Sequence, residues 1–121
     1  MKGSIMIVDD DIEIRQLLCT MLRMIGYEIC EASDGLDALA KIENCIPDAM
    51  VLDVMMPNMD GITLCKALRK ATETAVLPII MLSGKAQQED IEAGLKAGAN
   101  RYLAKPMSMN DLVQNLQDVM Q

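Results

Sequence analysis

Residues 51–61 read Val-Leu-Asp-Val-Met-Met-Pro-Asn-Met-Asp-Gly, and Asp53 is the residue in them that decides how the chain folds and what it does. It closes an apolar run, Ala49-Met50-Val51-Leu52, suited to a strand buried on both faces. A carboxylate at the end of such a strand is costly unless something charged meets it there. The rest of the chain supplies the candidates.

Working outward, the same pattern recurs on either side. Ser4 to Val8 is a short apolar run ending in Asp9-Asp10-Asp11, followed by Ile14, Leu17, Leu18, Met21, Leu22 and Ile25 at helical spacing up to Gly26. Tyr27 to Ala32 predicts a second strand, and Ser33-Asp34-Gly35 leads into a helix with Leu36, Leu39, Ala40 and Ile42 as its apolar positions. Ala49 to Asp53 is the third strand, and the helix after it, from about Asp60 to Ala71, buries Ile62, Cys65 and Leu68. Leu77 to Leu82 predicts a fourth strand with Pro78 tolerated only at its start, and Gln88 to Ala97 a helix with Ile91, Gly94 and Leu95 on its face. Arg101 to Ala104 is the fifth strand, and Ser108 caps a last helix. Strict strand-helix alternation predicts an α/β fold: a doubly wound, five-stranded parallel sheet with helices on both faces and right-handed crossovers. The length, 121 residues, suits one domain over residues 1–121.

Composition narrows the chemistry. There are 18 acidic and 11 basic residues, a net charge of -7, which argues against direct binding of nucleic acid or of an anionic membrane. The absence of histidine excludes a Ser-His-Asp triad, a Cys-His pair and histidine-containing metal sites; any phosphohistidine must belong to a partner. Four widely spaced cysteines among apolar neighbours, Cys19, Cys30, Cys45 and Cys65, read as buried free thiols of a cytoplasmic protein. No secretory leader opens the chain and no apolar run is long enough for a membrane span. With 12 methionines and no phenylalanine, the methionines are expected to fill the core.

In an open doubly wound sheet, ligands bind beyond the carboxyl ends of the strands. The polar residues expected there are Asp9 and Asp10, Asp53, Ser83 and Lys105. Three converging carboxylates repel one another unless a cation sits among them, and oxygen-only ligands favour a hard ion: Mg²⁺, with Mn²⁺ as the alternative. Ser83 and Lys105 add a hydroxyl and a cation suited to an incoming phosphoryl oxygen, so the set describes phosphorylation of an aspartate, with central Asp53 as the nucleophile. Asp11 reads as a helix cap, as does Asp60.

The motifs Ile7-Val8-Asp9-Asp10, Leu52-Asp53-x-x-Met56-Pro57-x-Met59-Asp60-Gly61, Ser83-Gly84 and Tyr102-x-x-Lys105-Pro106 together resemble the receiver domain of two-component response regulators, the CheY-like branch of flavodoxin-like folds. The resemblance implies that Asp53 accepts a phosphoryl group from a histidine kinase or phosphotransfer protein, and that Asp9 and Asp10 bind Mg²⁺ with Asp53 and the Met55 backbone carbonyl. It implies that Ser83 and Lys105 hold the phosphoryl oxygens, and that Ser83 and Tyr102 switch the face of the fourth helix, fifth strand and fifth helix toward a downstream output partner. It further implies a cis Lys105–Pro106 bond, and that Met55 and Lys85 tune the lifetime of the phosphorylated form. Such a domain promotes its own phosphorylation and dephosphorylation without being a turnover enzyme. Departures are minor: Ser83 stands where threonine is commoner, and Met107 where phenylalanine is frequent.

Three rival readings fit less well. A haloacid dehalogenase-type phosphatase needs a second aspartate where Met55 stands. A mononucleotide or flavin binder of flavodoxin-like fold wants a glycine- or hydroxyl-rich loop after the first strand, not three aspartates. A receiver fold acting only as an interaction module would not need all five polar residues. The chain ends at Gln121 just after the last helix, with no helix-turn-helix, which suits a stand-alone regulator, a phosphorelay carrier or one domain of a longer protein.

Overall fold

The computed structural model describes residues 2–121. Its elements are β1 (Ser4–Val8), α1 (Ile12–Ile25), β2 (Glu28–Ala32), α2 (Gly35–Ile42), β3 (Ala49–Asp53), α3 (Gly61–Lys70), a 3-10 turn (Thr72–Thr74), β4 (Ile79–Ser83), α4 (Gln88–Ala97), β5 (Arg101–Ala104) and α5 (Met109–Met120). The five strands form one sheet in the order β2-β1-β3-β4-β5, every pairing parallel. The doubly wound α/β architecture expected from the alternation is the one observed.

Strand alternation divides the core in two. Met6, Val8, Met50, Leu52, Ile79 and Met81 point to the side packed with Ala38, Leu64, Cys65 and Leu68 from α2 and α3. Ile5, Ile7, Val51, Ile80 and Leu82 point to the other, where Leu18 and Leu22 of α1 meet Leu112 and Leu116 of α5. Central β3 and β4 are buried at every position, as parallel strands covered on both faces must be. Side chains of Asp11, Asp34, Asp60 and Ser108 accept hydrogen bonds from first-turn amides of α1, α2, α3 and α5, fixing where each helix starts.

Several boundaries differ from the sequence pattern for local reasons. The Tyr27 amide donates to the Leu22 carbonyl at 3.2 Å, so Tyr27 belongs to the end of α1 and β2 begins one residue later. Leu77 donates to Thr74 at 3.2 Å, closing the 3-10 turn, and Pro78 has no amide to offer; β4 therefore starts at Ile79 and runs on to Ser83. The 3-10 turn itself carries no sequence period that marks it.

The expectation of burial needs correction at named positions. Cys30 and Cys45 are exposed, one on edge strand β2 and the other in the loop after α2, where no layer covers them. Met24 (82% exposed) and Met55 (55%) lie on the surface, unlike buried Met6, Met50 and Met81. Leu17, Leu36 and Leu95 are also exposed, because a helix on a sheet covers one stripe and these residues stand at its margin. Among the described residues no helix is long and apolar enough to cross a membrane.

Burial pushes the Cys19 thiol up to about 11 and raises that of Cys65. Both thiols should therefore stay unreactive toward iodoacetamide at pH near 8 in the folded protein, while Cys30 and Cys45 are alkylated; peptide mass mapping reads the difference. A raised folded pKa means that the contribution of protonated Cys19 to stability is complete below about pH 9 and is lost as pH rises toward about 11, which urea unfolding across that range would record.

Candidate functional site

The strand order places the reversal of winding between β1 and β3, and the residues at their carboxyl ends therefore flank a crevice. Asp9 and Asp10 follow β1; Asp53 and Ser83 are the last residues of β3 and β4; Lys105 follows β5. Ladder-like hydrogen bonds extend the strands into this region: Asp9 donates to Ala32 at 3.2 Å, Val54 to Leu82 at 3.1 Å and Lys105 to Ser83 at 2.9 Å. These residues are consequently held by the sheet and not by a free loop.

Asp9 (2% exposed) and Asp53 (7%) are buried, Ser83 is fully buried, and Asp10 is exposed. One carboxylate oxygen from each of Asp9, Asp10 and Asp53 lies within 4.8 Å of the others. The Lys105 ammonium stands 3.5 Å from both Asp9 Oδ2 and Asp53 Oδ1. Asp9 Oδ1 accepts the Asp11 amide at 2.9 Å, and Asp53 Oδ1 accepts the Met55 amide at 3.3 Å. Burial, followed by the Asp9 carboxylate, raises the proton affinity of Asp53; Lys105 and the Met55 amide oppose this without cancelling it. Three carboxylates and one ammonium leave the cluster with formal charge to spare, and its open Asp10 side gives water access. A hard divalent cation fits that donor set.

Ser83 is connected to Tyr102 through one residue. Ser83 Oγ accepts the Lys85 amide at 3.0 Å, and the Tyr102 hydroxyl donates to the Lys85 carbonyl. The half-buried Tyr102 ring lies over Gly94 of α4, where a Cβ would come within 2.6 Å of Tyr102 Cδ2 and 2.9 Å of Met81 sulfur. The Lys105–Pro106 bond is cis. Met55, two residues after Asp53 in the β3–α3 connection, is 55% exposed.

Further residues support the site, and two of them, Arg15 and Asn58, carry no signal that singles them out in the sequence. Arg15 donates to the Asp9 carbonyl at 2.7 Å and pairs with Glu31 at 3.1 Å, pinning the acidic turn to β2. Asn58, in left-handed backbone with φ 68°, donates to Asp34, and Met59 packs on Gly35, which ties the β3–α3 turn to α2. Gly61 leaves room for the backbone: a Cβ there would lie 2.7 Å from the Asp53 carbonyl oxygen.

Residues 5–117 match the family model for the response regulator receiver domain. The chain belongs to this family. It is 42% identical over 119 residues to a Cyanophora paradoxa protein named "Probable transcriptional regulator ycf27", covering 98% of this chain and 48% of that protein. It is 41% identical over 116 residues to the response regulator MprA of Mycobacterium sp. (strain KMS), covering 96% of this chain and 50% of that one. Among solved structures, the Vibrio cholerae chemotaxis protein CheY4 superposes with a TM-score of 0.92 at 37% identity, over 97% of this receiver domain and 98% of that chain. The chain thus spans about half the length of the curated relatives it matches. As a response regulator receiver domain, it is a component of two-component signal transduction.

The raised proton affinity of Asp53 has a measurable sign. Without divalent cations, wild type is expected to lose stability relative to Asp53→Asn as pH rises above the ordinary carboxylate range, because the folded protein resists ionising Asp53 more than the unfolded chain does. Urea unfolding in EDTA at several pH values tests this; a difference between the two proteins that stays constant with pH would contradict it.

Proposed function

We propose that Asp53 is the phosphoacceptor and that it takes a phosphoryl group from a phosphohistidine of a partner kinase or phosphotransfer protein in a Mg²⁺-dependent reaction. The observation that carries this reading is the convergence of Asp9, Asp10 and Asp53 within 4.8 Å, with the Lys105 ammonium 3.5 Å from two of them. Asp9, Asp10, Asp53 and the Met55 carbonyl would hold the ion, which supplies charge neutralisation for the transferring phosphoryl oxygens.

The chain's own residues account for the rest. An Asp53 carboxylate oxygen attacks phosphorus; the O–P bond forms as the N–P bond of the phosphohistidine breaks, and the freed imidazole nitrogen takes a proton. Burial by the sheet holds Asp53 in one orientation, reducing the entropy lost in reaching the attack geometry. Lys105, ion-paired with Asp53 and hydrogen-bonded to Asp9, would redirect its ammonium to a phosphoryl oxygen. The Ser83 hydroxyl serves as a second donor. Reorienting it toward the phosphoryl group would loosen its bond from the Lys85 amide, and through the Lys85 carbonyl would disturb Tyr102 on the α4–β5–α5 face. Hydrolysis by water resets the domain, with Met55 and Lys85 at the approach tuning its rate.

The output is proposed to pass through a separate protein or a further region of a longer polypeptide. Curated relatives about twice as long, one of them named as a transcriptional regulator, support the second route. With a net charge of -7, the receiver itself is a poor electrostatic match for nucleic acid.

Incubation with Mg²⁺ and acetyl phosphate is expected to add the mass of one phosphoryl group to the intact protein, and to fail with Asp53→Asn or in EDTA. An unmodified wild type would instead favour an interaction module without phosphorylation. Met55→Asn and Lys85→Ala are each expected to change the half-life of the phosphorylated form severalfold while still allowing it to form. Phosphate release from both variants at the wild-type rate would remove these residues from the mechanism.

A further inference from the structure

One cavity lies apart from the acidic crevice. It lies at the other end of the sheet, where α2 and α3 end, and has a volume of about 690 Å³. Leu39 and Ile42 of α2, Ile46 of the following loop and Leu68 of α3 form its apolar walls. The buried Thr74 hydroxyl, also in the lining, donates to the Leu68 carbonyl and ties the 3-10 turn to α3.

The charge of this cavity is one-sided. Glu43 and Glu73 line it and no basic side chain does. Among the described residues neither glutamate has an ion pair or a side-chain hydrogen bond. Of the cations nearest in sequence, Lys41 pairs with Asp37 at 3.2 Å and Arg69 donates to Thr74, Gly98 and Asn100, while exposed Lys70 does not line the cavity. An open apolar recess of this volume, with two exposed carboxylates in its lining, suits a drug-sized apolar body with a cationic head. A recognition helix of a partner would need a longer groove than the ends of two short helices provide.

We infer that the cavity between the ends of α2 and α3 binds a small amphiphilic cation, with the apolar body against Leu39, Ile42, Ile46 and Leu68 and the ammonium beside Glu43 and Glu73. The site lies at the end of the sheet away from Asp53, so it is compatible with phosphorylation. It requires neither a metal nor the proposed phosphoacceptor chemistry.

Two exposed cysteines provide an internal control, since Cys45 lines the cavity and Cys30 lies on β2 outside it. Titration of the whole chain with adamantylammonium, by calorimetry, is expected to saturate, whereas adamantanecarboxylate should give no binding. The ammonium should slow alkylation of Cys45 by N-ethylmaleimide and leave Cys30 unaffected. Joint Glu43→Gln and Glu73→Gln substitution, both at exposed positions, should weaken binding about tenfold. Ile46→Lys, which fills the cavity mouth with a tethered cation, should abolish it, and Asp53→Asn should leave it unchanged. Absence of saturable binding, equal protection of Cys30, equal affinity for the carboxylate, or loss of binding in Asp53→Asn would each overturn the assignment. The last result would place the cation at the acidic crevice instead.

Discussion

Two buried carboxylates at the ends of neighbouring strands share one lysine, and the organisation of the receiver follows from that arrangement. Asp9 and Asp53 are nearly sealed from water, so each depends on the Lys105 ammonium 3.5 Å away. One ammonium does not balance two buried carboxylates and a third at the rim, and the proton affinity of Asp53 is raised, first by burial and then by the Asp9 carboxylate. In the proposed reading the deficit is functional: it makes the crevice receptive to a divalent cation and, once the cation is bound, to a phosphoryl group.

The fold supplies what this arrangement needs. Parallel strands all present their carboxyl ends at one edge of the sheet, so residues distant in sequence, Asp9, Asp53, Ser83 and Lys105, meet without long loops. Both faces of the sheet are packed, which keeps the strand ends rigid and the carboxylates desolvated. Two further contacts extend the site outward: Arg15 anchors the acidic turn to β2, and Lys85 joins Ser83 to Tyr102 through its backbone.

Much of this was legible in the sequence, and the reasons are specific. Apolar runs of four residues, Ile5–Val8 before Asp9-Asp10 and Ala49–Leu52 before Asp53, marked the strands and their charged ends together, because apolar gives way to charged at one residue. The α4 span, Gln88 to Ala97, and β5, Arg101 to Ala104, agreed to the residue, being bounded by Gly98 and by the Lys105-Pro106 break. Side-chain exposure was less legible. Cys30, Cys45, Leu17 and Met24 have apolar neighbours in sequence, yet their burial depends on which layer lies over them, a property of tertiary structure. The tie between Asn58 and Asp34, the contact of Gly94 with Tyr102 and the bond from Arg15 to the Asp9 carbonyl are equally non-local; composition and periodicity carry no record of them.

In the proposed function the buried acidic cluster is completed by a divalent cation. Urea unfolding at neutral pH over a Mg²⁺ titration tests it directly, because a ligand bound only by the folded state stabilises as the logarithm of its concentration above its Kd, about 2.7 kcal/mol at a hundredfold excess over Kd. Wild-type stability is expected to climb along this curve, and Asp53→Asn, lacking one of the three carboxylates, to respond much less. A wild-type stability independent of Mg²⁺, or an equal response in both proteins, would contradict it.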